Sequence, residues 1–509
     1  MKRSKKIFKN LIFGFIAEAV AILLGVIVPR LTLTNYGSEV NGLVSTIGQI
    51  YAYVALLEAG IGLATIQALY KPISEDNKDS INSILSATAH YYKRTGFIYA
   101  CIVVVFSSIY PFLLTTEIPR LTVFFIVFFN GVGQIISYFF QAKYFLLLQA
   151  EGKNYIYTNL NMVTNIIKNI AKIWLMRMGV GVIYVQTIGV FVSMIQMMYM
   201  AWYIKRNYPW INLSVMPNKQ ALSQNKNVLI HQVSWLIVNN TDAVVLTFFC
   251  GLKTVSVYAI YILLYGMVNT VLTMAGDSVK FDLGQSFYNK TRFNAVFNLY
   301  EILFTALLFS LFSITNFFMT PFLMLYTKGV VDISYIDQWL PLLFSLMYIL
   351  MQSRKPAHDI VKVAGHFKQT QNQAVVEAII NITVSIVMVY FLGIYGVIIG
   401  TIVALLYRTN ALITYTNRKI IQRSNWISYK RLLVLWMVFA VVQIINQFLN
   451  IQANSYLKLF CYCIPYALVS FIVYFGIVCL FEIKTIKKAI QTLKNKKIIK
   501  KEILNEDIG

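Results

Sequence analysis

Charged residues are scarce in this sequence. Asp, Glu, Lys and Arg make up 13% of the 509 residues, whereas soluble domains carry roughly 25%. Residues of the AVILMFWYC set make up 58% of the chain. A soluble globule of this composition would lack the polar side chains needed to cover its surface. The scarcity of charge therefore excludes a soluble protein and indicates an integral membrane protein.

Cysteine and histidine are also rare, and their spacing does not favour metal sites or disulfides. The five cysteines lie in or beside apolar runs, without a C-x-x-C pair, and the four histidines are isolated from one another. We expect no metal site and no cofactor. Nucleotide-binding, nucleophile-elbow and zinc-protease motifs are missing in any supporting context. The sequence therefore predicts no catalytic residues and a protein that is not an enzyme.

Long apolar runs dominate what is present. A spanning helix needs about 20 mostly apolar residues, and the chain offers room for fourteen, two of them sharing the run 378–407 with a turn at Gly393. The fold predicted is all-α, with about fourteen transmembrane helices. They lie at 10–33, 41–70, 95–116, 121–142, 155–177, 178–204, 227–250, 254–276, 302–327, 338–361, 378–407, 432–457 and 459–481.

Basic residues outnumber acidic residues by 44 to 20 and lie mainly on one side of these spans. With the N-terminus inside, the inner connectors and both termini collect 36 of the 44 basic residues, and the outer face collects six. The remaining two, Lys168 and Lys172, fall within the fifth span. Such an excess obeys the positive-inside rule. It predicts a multi-pass membrane protein with both termini in the cytoplasm.

An internal repeat of about 214 residues links the two halves of the chain. Gly37 and Gly251 each open an even-numbered span, and the pairs Gly152 with Gly365 and Gly179 with Gly393 recur 213 and 214 residues apart. The repeat predicts two six-helix lobes of the same orientation, spans 1–6 and 7–12, which is typical of transporters. The predicted organisation is N-lobe 1–204, cytoplasmic linker 205–226, C-lobe 227–416, spans 13 and 14 at 417–482, and basic cytoplasmic tail 483–509.

Three motifs carry a family resemblance. Pro29-Arg30 with Gly37…Gly42, the stretch 239–261 and the stretch 364–371 resemble the polysaccharide transport branch of the multidrug/oligosaccharidyl-lipid/polysaccharide exporter superfamily. That branch contains the Wzx-type flippases. The resemblance implies translocation of undecaprenyl-pyrophosphate-linked oligosaccharide repeat units across the bacterial cytoplasmic membrane by alternating access, for capsule, O-antigen or exopolysaccharide biosynthesis. It also implies a polysaccharide polymerase and assembly proteins as partners.

The fifth span carries a polar stripe on one helical face. At 100° per residue, six polar residues fall within an arc of about 100°. They are Thr158, Asn161, Asn165, Lys168, Asn169 and Lys172. Two lysines on one face suit an anion such as pyrophosphate. The equivalent arc of the eleventh span contains Glu377 and Asn381. We expect these stripes, with Arg30, to bind substrate in a water-filled cavity; alternatively, Lys168 or Lys172 pairs with Glu377 or another acid as a structural contact.

Three acids lie within predicted spans. Glu18, Glu58 and Asp242 occupy spans 1, 2 and 7. Ionisable groups in a membrane cost roughly 2.5–3.5 kcal/mol each on insertion scales and so need partners or water. They are candidates for coupling transport to protons or sodium, or for neutralising the lysines. For Arg30, a position snorkelling to the interface is the alternative to a binding role.

Two other functions remain open from the sequence. A cation-coupled drug antiporter of the same fold would line its cavity with acids rather than paired lysines. A membrane polysaccharide polymerase or glycosyltransferase would need a large outer loop, whereas the longest outer connector has about ten residues, 328–337. The lysine-rich tail after Phe481 is expected either to lie along anionic inner-leaflet lipids or to be solvated without a specific partner. No nucleic-acid partner is expected.

Overall fold

A computed structural model gives the fold of the chain. It describes residues 2–58, 61–218, 220, 226–449 and 451–506, and the side chains of residues 20, 23–58, 61–218, 220, 230–449 and 451–494. These residues form fifteen α-helices and no β-strand. The helices are α1 (Lys2–Val54), α2 (Ile61–Ser74), α3 (Lys78–Leu113), α4 (Arg120–Ile136), α5 (Ala142–Ala150), α6 (Asn154–Arg177), α7 (Val182–Asn207), α8 (Lys226–Ser286), α9 (Lys290–Tyr326), α10 (Leu340–Ser353), α11 (Lys355–Val363), α12 (Phe367–Leu392), α13 (Ile394–Tyr415), α14 (Asn425–Asn446) and α15 (Tyr456–Glu506).

The lengths and compositions of these helices match a membrane protein. Ten helical segments in the described part of the chain are long and apolar enough to cross a membrane. Two of them, Leu23–Glu58 and Ile230–Ser286, lie in long helices that each extend over two predicted spans. Among the remaining predicted spans, α6 is less apolar because it contains polar residues, and α10 is short, with 14 residues. The all-α membrane fold predicted from the sequence is confirmed.

The described chain divides into two compact units. The first unit is Met1–Ile260 with Gly329–Ile333, and the second is Tyr261–Lys328 with Ser334–Gly509. The boundary lies within α8, so the predicted span 227–250 packs with the first unit. Packing defines these units, whereas sequence similarity defines the predicted lobes. The lobe boundaries therefore stay a prediction.

The repeat is visible in the backbone. α1 is broken at Gly37 (φ 81°, ψ 174°) and α8 is broken at Gly251 (φ 79°, ψ 170°). L-residues with a side chain rarely adopt these angles, which glycine reaches without strain. The other predicted pairs behave alike, with φ of 70° and 69° at Gly152 and Gly365 and of 70° and 54° at Gly179 and Gly393. The glycines therefore mark equivalent breaks in the two repeats.

A buried tyrosine contact recurs at the same offset. In the first unit, the Tyr51 hydroxyl donates to the Val127 carbonyl at 2.9 Å, and in the second unit the Tyr265 hydroxyl donates to the Pro341 carbonyl at 2.6 Å. Both tyrosines and both acceptors lie 214 residues apart. A buried phenol needs an acceptor. In each repeat, the carbonyl of a neighbouring helix provides it.

Within the first unit, α1 packs closely against α8 just beyond the Gly37 break and on both sides of the Gly251 break. Asn41 Nδ2 donates to Ser256 Oγ at 2.7 Å, and the Thr46 and Thr247 hydroxyls lie 2.8 Å apart. Between these contacts, a Cβ added at Gly42 would overlap the carbonyl group of Leu252. Small residues allow membrane helices to approach backbone to backbone. Gly42 is therefore required by packing.

A polar cluster fixes the start of α6. The Lys153 ammonium lies 2.7 Å from Glu151 Oε2 and 2.8 Å from the Tyr208 hydroxyl, which itself donates to Glu151 at 2.5 Å. Burial, together with the hydrogen bond to Glu151, raises the pKa of Tyr208 to about 12. The hydroxyl therefore remains protonated at neutral pH. This cluster connects the α5–α6 turn to the end of α7.

Buried ion pairs organise the second unit. Glu301 on α9, 7% exposed, lies 2.6 Å from Arg423 Nη2 and also pairs with Arg431. Arg431 in turn lies 3.1 Å from Glu482 on α15.

The thirteenth span, predicted at 432–457, is wrong in its bounds, since the helix is Asn425–Asn446. A span that begins at residue 432 leaves Arg431 outside the helix, whereas its carboxylate partners allow the helix to include it.

Replacing Gly42 by alanine should lower the thermal unfolding temperature of the detergent-solubilised protein by several degrees. The added methyl meets backbone atoms of Leu252, and overpacking of this kind costs about 1–3 kcal/mol. Gly48→Ala is the matched control, because it lies in the same helix and its Cβ would meet nothing within 4 Å. Both variants gain the same helix propensity. Equal melting temperatures for the two variants would contradict the close α1–α8 contact.

Candidate functional site

α6 has two contrasting faces. The polar stripe predicted from the sequence lies on a continuous helix from Asn154 to Arg177. The opposite face is apolar and exposed. It consists of Val163, Ile167, Ile170 and Trp174, which are 47%, 47%, 56% and 59% exposed. An exposed apolar face on a spanning helix suits lipid, so the polar stripe is the face turned away from lipid.

Two glutamines of α7 complete the polar face. Gln196 Nε2 donates to Asn161 Oδ1 at 2.6 Å, and Lys172 Nζ donates to Gln186 Oε1 at 3.1 Å. Gln186 is 7% exposed. The α6–α7 pair therefore forms one polar surface in the first unit, containing amide groups that both donate and accept hydrogen bonds.

No acid among the described side chains neutralises the two lysines of this surface. Among the described side chains, neither Lys168 nor Lys172 has a carboxylate within ion-pair distance, and Lys168 has no hydrogen-bond acceptor. Lys172 is bonded to a neutral amide. The alternative of structural pairing with an acid therefore finds no partner in the described part of the first unit. Two ammonium groups within a spanning helix then need water or an anionic ligand.

Two of the three candidate coupling acids lie in the first unit with tyrosine partners. Glu58 ends a short 3₁₀ segment after α1, and its Oε1 accepts from the Tyr92 hydroxyl at 3.0 Å. Asp242 is 2% exposed, and its Oδ2 accepts from the Tyr258 hydroxyl at 2.7 Å. Each carboxyl is thus fixed by a phenol inside the helical bundle. Their role in ion coupling stays a prediction.

The remaining two candidate residues, Arg30 and Glu18, both lie on α1. Arg30 is half-buried and follows Pro29 inside the helix. The side chain of Glu18 lies outside the described residues. The structure therefore leaves the roles of Arg30 in substrate binding and of Glu18 in ion coupling as predictions.

The corresponding stripe on α12 has a different character. Glu377, 5% exposed, pairs with Arg354 and lies 3.4 Å from Arg408 Nε. Asn381 is fully buried and donates to Thr401 Oγ1 on α13 at 2.9 Å. These polar groups serve contacts within the second unit. The substrate-binding role predicted for Glu377 and Asn381 stays a prediction. The two stripes differ in charge, because the stripe on α6 carries cations that have no acidic partner among the described residues.

Sequence reasoning missed four residues near these stripes. The charge count places Arg354 and Arg408 on the cytoplasmic side, although α13 continues past Arg408 to Tyr415 and buries it to 3% exposure. The sequence pattern does not mark Gln186 and Gln196, because an uncharged amide hardly interrupts an apolar run. The sequence does contain a feature that predicts cationic partners such as these arginines. Glu377 lies within an apolar span and needs a cationic partner.

The fold and the polar face define a class of protein, a multi-pass helical membrane protein built on a two-fold sequence repeat. No protein-family profile and no curated protein matches the sequence. Solved structures do match it. The lipid II flippase MurJ in an inward closed conformation has a TM-score of 0.69 at 15% identity, covering 93% of this chain and 100% of that chain.

Multidrug transporters share the same fold. An inward-facing MATE family transporter of the multidrug/oligosaccharidyl-lipid/polysaccharide exporter superfamily has a TM-score of 0.63 at 13% identity, covering 78% of this chain and 94% of that chain. The MATE multidrug transporter DinF-BH, solved as a complex, has a TM-score of 0.52 at 12% identity, over 79% and 93%. The chain thus has the fold of the superfamily predicted from its sequence. The polysaccharide transport branch stays a prediction.

Cysteine labelling tests which face of α6 contacts water. In a chain whose five cysteines are replaced by serine, Asn165→Cys should react at least about tenfold faster than Ile170→Cys with a membrane-impermeant thiol reagent, because only the hydrated thiolate reacts. Both positions are exposed on the same helix, one on the polar face and one on the apolar face. The measurement is made on the protein in native membranes.

Labelling of the same two cysteine variants after denaturation is the control. Denatured in detergent, the two variants should react at equal rates, which separates accessibility from intrinsic reactivity. Equal rates in the membrane, or faster labelling at position 170, would contradict a hydrated polar face.

Proposed function

We propose that this protein is a flippase that moves undecaprenyl-pyrophosphate-linked oligosaccharide repeat units across the bacterial cytoplasmic membrane by alternating access, for the biosynthesis of a surface polysaccharide. One observation carries the proposal. The polar face of α6 presents two lysines, Lys168 and Lys172, that have no acidic partner among the described residues of the first unit. A site that keeps two cations in a membrane without an acidic partner among the described residues is suited to an anion.

The chemistry of the polar face fits both parts of such a head group. Ammonium groups attract pyrophosphate as point charges and donate strong hydrogen bonds to its oxygens. The amides of Asn161, Asn165 and Gln196 donate and accept, as sugar hydroxyls require. The apolar opposite face of α6 lies towards lipid, where a polyprenyl chain would remain. A head group and its tail would thus meet two different environments across one helix.

The fold supports a lipid substrate without specifying it. One solved structure with this fold is a lipid II flippase. The neighbours are transporters and flippases rather than enzymes, which agrees with the prediction that the chain is not an enzyme. The oligosaccharide and the pathway come from the sequence resemblance alone.

A cation-coupled antiporter is the second candidate, because multidrug transporters also have this fold. It is favoured by two acids within the helices of the first unit, the half-buried Glu58 and the buried Asp242. In the flippase proposal, the same acids couple transport to protons or sodium, together with Glu18. The two candidates differ in which charge contacts the substrate, the lysines of α6 or the acids.

The proposal places both termini in the cytoplasm and the basic tail against anionic lipids. The first turns of α9 and α14 and the segment 482–492 of α15 surround a cavity of about 920 Å³ whose lining contains Lys430, Lys484 and Lys488. Cationic side chains at the end of a spanning helix attract anionic lipids by about 1 kcal/mol each. A polysaccharide polymerase and assembly proteins remain predicted partners.

The double variant Lys168→Gln/Lys172→Gln should lose affinity for undecaprenyl pyrophosphate by at least about tenfold, because each charge-assisted hydrogen bond is worth about 1.5–3 kcal/mol. The measurement is the rise in unfolding temperature of the purified protein as the lipid is titrated. Arg177→Gln is the matched control, since it removes an exposed cation from the same helix outside the polar face.

A second titration separates the two candidate functions. A lipophilic cation should not stabilise the wild-type protein in the flippase proposal. Stabilisation by the cation alone would contradict the flippase and favour the antiporter. Equal stabilisation of wild type and double variant by the pyrophosphate lipid would show that these lysines are not its site.

A further inference from the structure

Lys143 is a buried cation that the transport proposal does not use. It lies at the start of α5, directly after a π-helical turn at Ser137–Gln141, and is 8% exposed. Among the side chains that the structure describes, no carboxylate lies within ion-pair distance of its ammonium. A buried lysine without a counter-charge is rare, because removing an ammonium from water is costly.

Backbone carbonyls accept hydrogen bonds from only some of the N–H donors of this ammonium. Lys143 Nζ donates to the carbonyls of Phe139 and Phe140 at 3.0 and 3.4 Å. Both carbonyls belong to the π-helical turn, where the regular α-helical hydrogen-bond pattern is interrupted. The Tyr144 ring lies 4.9 Å from the ammonium and adds a cation–π contact. An ammonium has three N–H donors, so one remains for a further acceptor.

Lys143 is one of the residues that line a cavity of about 580 Å³ within the first unit, a volume typical of small-ligand sites. Lys205 is a second cation on the wall, and none of the described residues that line the cavity is acidic. Tyr208 also contributes, but its hydroxyl is occupied by Glu151 and Lys153. The cavity therefore has a positive charge that its own lining does not balance.

The remaining wall is mostly apolar and opens towards the outside of the helical bundle. Phe140 and Met198 line the cavity and are 53% and 63% exposed, as expected for side chains that face lipid. The site thus combines two cations with an apolar surface. Basic pockets between spanning helices on the cytoplasmic side bind anionic lipid head groups, and Lys205 lies at the cytoplasmic end of the sixth predicted span.

We propose that this cavity binds the phosphate group of an anionic membrane phospholipid. Lys143 and Lys205 donate to the phosphate oxygens, and the surface of Phe140 and Met198 contacts the acyl chains. The site is separate from the polar face of α6 and does not depend on the proposed flippase activity. It assigns Lys143 a role in recognising the membrane rather than the transported molecule.

Native mass spectrometry of the purified protein tests the proposal. Phosphatidylglycerol, phosphatidylcholine and inorganic phosphate are titrated separately, and the dissociation constant of the first bound molecule is measured. Phosphatidylglycerol should bind at least about tenfold more tightly than either of the others, because only it combines a net negative charge with acyl chains. Lys143→Met should remove that preference, and Lys143→Arg should retain it.

Two further variants keep the test decisive. Lys205→Gln, on α7 rather than α5, should also weaken phosphatidylglycerol binding even where Lys143→Met fails to fold. Lys71→Gln, which changes a well-exposed lysine of the same unit, should leave it unchanged. Unaltered phosphatidylglycerol affinity in the Lys143 and Lys205 variants would overturn the site. Binding of phosphate as tight as that of phosphatidylglycerol would overturn the lipid as its ligand.

Discussion

The cost of an ionised side chain inside a membrane is the constraint on which the rest of this structure depends. Each charge in a spanning helix needs an opposite charge, water or a ligand. In the second unit, Glu377 meets this need through Arg354 and Arg408, and Glu301 through Arg423 and Arg431. Paired in this way, charges stabilise contacts between helices.

In the first unit, several charges do not have an opposite charge among the described residues and therefore need water or a ligand. The lysines of α6 have no described acidic partner, and Lys143 has only backbone carbonyls as described acceptors. The two repeats thus share a backbone and differ in charge. These cations, which lack acidic partners among the described residues, are the part of the chain where function is most readily explained. Fold alone does not decide it, since lipid flippases and multidrug transporters have the same architecture.

Much of the fold follows from local sequence, and the reasons are physical. Apolar length determines the spans, and glycine at positions of positive φ determines the breaks, so Gly37 and Gly251 could be located without a structure. The polar stripe of α6 followed from helical periodicity. Pairings between distant segments could not be predicted this way. Arg408 and Arg431 look like surface charges until the structure shows the carboxylates that let helices bury them.

The measurement that tests the central claim most directly is transbilayer movement of the proposed substrate. Purified protein is reconstituted into liposomes that contain a fluorescent undecaprenyl-pyrophosphate-linked oligosaccharide, and an impermeant quencher is then added outside. If the protein is a flippase, it should make the lipid of both leaflets accessible to the quencher, while protein-free liposomes lose only the outer-leaflet signal. Equal quenching with and without protein, under an imposed proton or sodium gradient as well, would contradict the account.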